Sequence, residues 1–330
     1  MSGLEARPEV SVLIPAFQAA AFIDRTLYLA RGQSYANIRI LVSVDQGDDD
    51  TVARVQRHVK ADARVSAFEH RARLGWVGNV NFLLDNVRTP LFFIYFHDDV
   101  ILPQYVEMLL DALREHPAAA SAHCDMEHFG ADRPASPGRP MSGTTTHRLL
   151  DFMLAPQRSS PLRSLIRRDR GGQLRLPDTG RHGLWANEVF LLELFAAGPA
   201  VHVPETLYAR WNQRPGGLTD GWKSLPDDEA RAGWQSVIGH AIRLFDKVAE
   251  TRAERDALVF GLYLQFYPRL LSKRAMQPPL FRDAGELHPR FAELSMPVDL
   301  AGYGTDIRQW AEQRWRRCVA AAVPAGAVTC

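Results

Sequence analysis

Cysteine is scarce in this chain. Its three residues, Cys124, Cys318 and Cys330, are too few and too widely spaced for a disulfide framework, and no CxxC pair exists to suggest a zinc site. A reducing, cytoplasmic setting is expected. An excess of one charge is also missing: 39 Lys and Arg against 38 Asp and Glu give a formal net charge of +1, and no global attraction to nucleic acid or anionic lipid follows. No apolar run approaches the length of a membrane span, and the opening "MSGLEARPEV" has two acidic residues and no hydrophobic signal core. Membrane association is therefore expected to be peripheral at most. The phosphate-cradling pattern GxxxxGK[ST] is absent too; "GWVGN", Gly75 to Asn79, carries glycines without it. What remains is ordinary for a soluble protein: 46% hydrophobic and 23% charged residues over 330 positions can bury one large core or two smaller ones.

Periodicity organises the first half. "VSVLIP", Val10 to Pro15, and "IRILVSV", Ile38 to Val44, are short apolar runs suited to buried strands, and Phe22, Ile23, Leu27 and Ala30 recur between them at helical spacing. Strand, helix, strand predicts a parallel pair with a right-handed crossover. A helix over Thr51 to Lys60, a strand over Val65 to Phe68, a helix over Gly78 to Val87 and a central strand over Pro90 to Phe96 continue the alternation. This is a doubly wound, mostly parallel α/β sheet flanked by helices. Beyond it, a helix from Pro103 to Arg114 and a strand over Ala118 to Cys124 extend the layer, and "GADRPASPGRPMSGTTT", Gly130 to Thr146, reads as a flexible connection. A helix over Gly183 to Ala197, an extended Pro204 to Arg210 and helical spacing from Asp227 onward complete the chain. The expected division is a catalytic domain over residues 1–220, with acceptor-side elements at about 125–220, and a helical region over 221–330.

Two acidic clusters follow strand ends: "DQGDDD" after Ile38 to Val44 and "HDD", His97 to Asp99, after Pro90 to Phe96. Ligands of open parallel sheets bind beyond the carboxyl ends of the strands, where loops and helix N-termini converge. Both clusters are expected to open on one edge, as carboxylates around a cation or a ribose would. Solvated turns are the competing reading, with His97 to Asp99 capping the next helix and Asp50 capping the helix from Thr51. Asp48 and Asp49 are expected to be simply solvated.

These stretches together resemble the family 2 glycosyltransferases of the GT-A fold. "VSVLIPAFQAAAFIDRTLYLARGQSYANIRILVSVDQGDDDT" is similar to that family's opening, "LFFIYFHDDVILP" to its metal-binding strand end, "ANEVFLLELFAAG" to its Glu-Asp helix and "YARWNQRPGGLT" to its donor-closing loop. The likeness covers Val10 to Thr219. It implies an inverting, metal-dependent transfer of a sugar from a nucleotide-sugar donor, a UDP-sugar first, to a hydroxyl on a carbohydrate, lipid-linked or small-molecule acceptor. A non-catalytic nucleotide-sugar-binding relative is the alternative. A nucleotidyltransferase would want a glycine-rich basic loop after the first strand, which "PAFQAAAF" does not offer.

The resemblance also implies roles. Asp98 matches the last aspartate of an Asp-x-Asp triad and becomes the metal ligand, for Mn2+ or Mg2+, with Asp99 beside it. Phe96 replaces the first aspartate, and His97 is a candidate substitute. Asp45 matches the aspartate that hydrogen-bonds the nucleobase, in a pocket lined by Pro15 and Phe17. Glu188 takes the second position of the Glu-Asp pair and so the role of the base that deprotonates the acceptor hydroxyl, Asn187 replacing the first. Arg210 and Arg214 are candidates for the diphosphate, Gly216 and Gly217 for a hinge. Trp185 either stacks on a sugar or packs in the core. "RSSPLRSLIRRDR", Arg158 to Arg170, reads as a solvated basic helix face, with attraction of an anionic acceptor or lipid phosphate as the alternative, and the C-terminal helices offer a surface for homo-oligomers.

Overall fold

A computed structural model of the chain describes residues 7–129, 137–154, 161–211 and 217–271. The first half follows the alternation of its sequence: β1 (Val10–Ala16), α1 (Ile23–Arg31), β2 (Ile38–Val44), α2 (Thr51–Ala61), β3 (Val65–Glu69), α3 (Gly75–Asn86) and β4 (Leu91–Ile94). There follow β5 (Val100–Ile101), α4 (Tyr105–Glu115), β6 (Ser121–Phe129), α5 (Thr145–Leu154), β7 (Leu165–Arg167) and the single turn α6 (Arg168–Gly171). The last described elements are α7 (Ala186–Ala197), β8 (Ala200–Trp211), α8 (Leu218–Lys223), α9 (Asp227–Val248) and α10 (Arg252–Leu271).

The eight strands among the described residues join one sheet in the order β3-β2-β1-β4-β7-β6-β8-β5. β3, β2, β1 and β4 run parallel, β7 runs antiparallel to both β4 and β6, β6 and β8 are parallel, and the short β5 closes the edge antiparallel to β8. The architecture is the doubly wound, mostly parallel sheet with added helices that the alternation predicts. Strand pleating sends successive side chains to opposite faces. Val10, Val12 and Ile14 accordingly pack with Leu27 of α1, Val55 of α2 and Leu109 of α4, while Leu13 joins Leu83 of α3 on the other face. That second layer also takes Phe152 of α5, Phe190 of α7, Phe245 of α9 and Phe260 of α10. The described C-terminal helices thus share a core with the sheet rather than standing apart from it.

Several local expectations change. The basic stretch Arg158 to Arg170 is a solvated helical turn only at its end, where Arg168 to Arg170 are exposed on α6; before that its described part is a buried turn over Pro161–Arg163 followed by β7, a strand in the middle of the sheet. Sandwiching between β4 and β6 buries its backbone and turns Arg163 and Arg167 inward, to 8% and 6% exposure. The connection expected to last until Thr146 ends in α5, whose Leu149, Phe152 and Met153 face the core. His97 to Asp99 cap no helix; they lead into β5, and α4 starts six residues beyond Asp99 at Tyr105. Asp50 offers α2 no side-chain cap. Asp49 does that instead, its Oδ1 accepting from the Thr51 amide at 3.1 Å and its Oδ2 from the Ala20 amide at 2.9 Å. Burial opposes that charge, but the hydrogen bonds from Thr51 and Ala20 hold the carboxyl below its ordinary range. Asp48 and Asp49 nevertheless stay exposed, as expected, and Asp48 also receives Gln18 Nε2 at 2.7 Å. Among the described residues no helix is long and apolar enough to cross a membrane.

Candidate active site

β1 lies between β2 and β4, with Ala16 opposite Val44 and Leu13 opposite Ile94, so the segments leaving β2 and β4 emerge on either side of the β1 carboxyl end. The Asp45 amide donates to the Ala16 carbonyl at 2.8 Å. His97 Nδ1 donates to the Pro15 carbonyl at 3.0 Å; a carbonyl only accepts, so this nitrogen carries the hydrogen. The two acidic clusters therefore flank one strand end.

On the β2 side the Asp45 carboxylate is 3% exposed and densely satisfied. Oδ1 accepts from the Leu74 amide at 2.7 Å and the Gln46 amide at 3.0 Å; Oδ2 accepts from the Gly75 amide at 2.9 Å and lies 3.2 Å from Arg73 Nε. Asp45 thus sits against the N-terminus of α3, where unpaired amides and the helix dipole favour an anion. Three of its four partners are fixed backbone. The fourth, Arg73, is about half exposed and lies over the Phe17 ring, 3.2 Å from its centroid.

On the β4 side α1 pins the turn: Thr26 Oγ1 donates to the His97 carbonyl at 2.6 Å and Arg25 Nη2 to the Asp98 carbonyl at 3.0 Å. Asp98 and Asp99 then diverge. Asp98 is half-buried. Asp99 is 1% exposed and committed inward, with Oδ2 receiving Arg163 Nε at 2.9 Å and Tyr208 Oη at 2.7 Å, and Oδ1 receiving the Trp211 amide at 3.2 Å. Burial opposes the Arg163 charge, but Asp99 and Tyr208 outweigh it and raise its proton affinity above that of an ordinary arginine. Asp99 so ties the β4 end to the end of β8. Arg210, on β8 opposite His128, is drawn into the same group. Burial, then Arg163, lowers its proton affinity, opposed by Asp99, Tyr208 and Asp98. Arg214 and Gly216 lie outside the described residues.

Glu188 sits in the first turn of α7 and is 6% exposed. Its Oε2 accepts from Gln265 Nε2 of α10 at 2.6 Å, and Asn187 Nδ2 stands 3.4 Å from its Oε1. Just upstream, His182 and Trp185 take positive φ values of 62° and 55°, uncommon for residues with a Cβ. The His182 carbonyl there accepts Trp76 Nε1 at 2.7 Å and Trp222 Nε1 at 2.8 Å. Trp185 is stacked between Trp222 and Trp234, at 5.9 and 5.6 Å between ring centroids, so the packing reading holds for it. Because Trp76 belongs to the first turn of α3, the same helix start meets Asp45 through Gly75 and the approach to α7 through Trp76. Pro15, Phe17, Asp45, His97, Asp98 and Arg210 thus gather around the strand ends, and Glu188 is linked to them through α3.

Sequence reasoning misses Arg25, Arg73, Arg163 and Gln265. Arginine spacing carries no signal of which carboxylate it meets. For Arg163 one clue existed, since the apolar Pro161, Leu162, Leu165 and Ile166 around it suit a buried segment. Among the described residues no three His, Cys, Asp or Glu side chains converge as a ready-made metal cage. A single half-buried carboxylate at Asp98 still fits a hard cation that takes its remaining oxygens from a diphosphate and water.

Residues 11–171, which carry both acidic strand ends and the Asp99 to Arg163 pair, match the profile of glycosyl transferase family 2. This stretch is a family 2 glycosyltransferase domain. An uncharacterized glycosyltransferase of Haemophilus influenzae is 26% identical to this chain over 113 residues, 34% of this chain and 35% of that one. The GalNAc(5)-diNAcBac-PP-undecaprenol beta-1,3-glucosyltransferase of Campylobacter jejuni is 26% identical over 149 residues, 45% of this chain and 48% of that one. The matches thus span less than half the length of these relatives. In fold the chain is similar to Staphylococcus aureus TarS 1-349 in complex with UDP-GlcNAc, with a TM-score of 0.68, 12% identity and coverage of 95% of this chain and 91% of that one. The mannosyltransferase PcManGT of Pyrobaculum calidifontis, in complex with GDP-Man and Mn2+, gives a TM-score of 0.55 at 15% identity, covering 96% and 86%. The matched residues end before α7, so Glu188 and Gln265 lie beyond the match.

Proposed function

We propose that the protein is an inverting glycosyltransferase that moves a sugar from a nucleotide-sugar donor to an acceptor hydroxyl. The observation that carries this reading is the placement of Asp45 and Asp98 on either side of the β1 carboxyl end, in a family 2 domain. The donor's base lies against Phe17 beside Pro15, and its ring N–H takes the place of Arg73 at Asp45 Oδ2, since only that partner can leave. A uracil N–H suits such a carboxylate, which makes UDP-sugars the first donors to test. Arg210 faces the diphosphate, with His97 backing the same strand end. Asp98 is the residue that would hold a divalent cation, Mn2+ or Mg2+, which when bound neutralises charge on the departing diphosphate. Asp99, spent on Arg163 and Tyr208, positions that turn rather than sharing the ion.

In the transfer, the acceptor oxygen forms its bond to the anomeric carbon from the face opposite the diphosphate. The carbon–oxygen bond to the diphosphate breaks and its electron pair leaves with the nucleoside diphosphate. The hydroxyl proton passes to Glu188. The acceptor is a carbohydrate, a lipid-linked sugar or a small molecule, and a cytoplasmic location accords with the scarcity of cysteine.

Thermal melting with UDP-, GDP- and dTDP-sugars, with and without manganese, tests the donor site, because a ligand of the folded form raises its apparent stability. Nucleoside diphosphate release tests the chemistry. Asp98→Asn is expected to remove the manganese-dependent part of the melting shift and to abolish release. Glu188→Gln is expected to abolish release and keep the shift. A shift without any release in the wild type would make the protein a non-catalytic binder; release undiminished in Asp98→Asn would remove the metal site.

A further inference from the structure

Glu188 does not stand alone on α7. A carboxylate can only accept, so the amide nitrogen of Gln265 must be the atom that meets its Oε2 at 2.6 Å, and the Asn187 nitrogen the atom near Oε1. The amide oxygens are thereby placed on the far side of each amide. Both Asn187 Oδ1 and Gln265 Oε1 are buried and have no hydrogen-bond partner among the described residues. Gln265 is itself 3% exposed. A buried acceptor left unpaired is costly unless a ligand or a water completes it. The bond to Glu188 also joins residues 77 apart in sequence, and α10 lies outside the residues that match the family 2 profile.

We propose that Gln265 completes the acceptor side of the active site: its Nε2 holds the Glu188 carboxylate in place, and its Oε1 accepts a hydrogen bond from the attacking hydroxyl. This rests on the reading of Glu188 as the base. α10 is then a wall of the reaction site and not only a packing helix. Water is the smallest such acceptor, so donor hydrolysis reports on the arrangement even before the natural acceptor is known.

The test uses the full chain and whichever of UDP-glucose, UDP-N-acetylglucosamine, GDP-mannose or dTDP-glucose raises its melting temperature with manganese. Gln265→Met keeps the length and bulk of the side chain but removes both polar atoms. It is expected to lower kcat for nucleoside diphosphate release by at least about tenfold, leaving KM for the donor and the melting shift unchanged. Gln265→Glu keeps the shape and replaces the donor by a second carboxylate beside Glu188. Two carboxyls so placed compete for one proton, and the acid limb of the pH–rate profile is expected to move to higher pH. A purely structural glutamine would lower the melting temperature without moving that limb. If Gln265→Met loses the donor shift through misfolding, the Gln265→Glu profile decides. A kcat within about twofold of wild type in Gln265→Met, or a Gln265→Glu profile superimposed on the wild type, overturns the inference while leaving the glycosyltransferase reading intact. A wild-type protein that binds none of the four donors and releases nothing removes both.

Discussion

Asp45 and Asp99 are both buried carboxylates beyond the ends of parallel strands, 3% and 1% exposed, yet they are satisfied in opposite ways. Asp45 rests on backbone amides of its own half of the sheet and keeps one half-exposed side-chain partner, Arg73. Asp99 rests on Arg163 and Tyr208, side chains that reach it from the turn before β7 and from β8 and are themselves buried. Backbone amides at a helix start are already oriented, so the first site loses little when its movable partner leaves. A buried pair is interdependent, because either charge without the other faces the low-dielectric interior alone. The β2 side is therefore suited to exchange a partner for a ligand. The β4 side is suited to fix the backbone from which Asp98 projects.

The contrast breaks most severely at Arg163. Arg163→Met leaves Asp99 charged and buried, and is expected to cost about 3–5 kcal/mol in urea denaturation; adding Asp99→Leu to the same chain should return part of that loss. A gentler probe of the same half is acid. Burial, with the neighbouring His202, lowers the proton affinity of His123 on β6 from the ordinary 6.5 to about 4, against the opposing Arg139 carbonyl and Asp125. Between those values the unfolded chain binds the extra proton and the folded one does not. Stability is thus full above 6.5 and falls as pH drops toward 4, by on the order of 3 kcal/mol, and urea titrations in His123→Gln should show a flatter slope across that window. The smallest effects belong to the β2 side. Asp45→Ala removes an anion from the α3 start and should cost about 1–2 kcal/mol, whereas Arg73→Ala, at a half-exposed pair, should cost less than about 1 kcal/mol. Equal losses at Arg73 and Arg163 would erase the distinction.

The same contrast explains what could be read from the chain beforehand. β1, β2 and β4 are short apolar runs buried on both faces, and each helix between them has one apolar stripe, so local pattern fixed their identity, order and direction. Asp45 and the 97–99 turn followed, since a parallel sheet puts strand ends on one edge. β7 escaped because three residues between two neighbours carry too little pattern to separate from a basic helix, and Arg163 and Arg167 look solvent-bound until their carbonyl and carboxylate partners are known. α5 was hidden behind a Gly-, Pro- and Ser-rich approach. Asp98 and Asp99 are adjacent in sequence and alike in chemistry; only the fold of distant β7 and β8 separates the inward one from the outward one. Gln265 had no signal at all, being one glutamine on a long helix.

The indoles of Trp76 and Trp222 share the His182 carbonyl, and Trp185 is held face to face against Trp222 and Trp234. Chromophores at such separations share excitation, so absorbed ultraviolet light migrates among them before it is emitted. The protein therefore carries its own optical reporter where α3 meets the approach to α7, and a guest that shifts either element changes the emission without any attached dye.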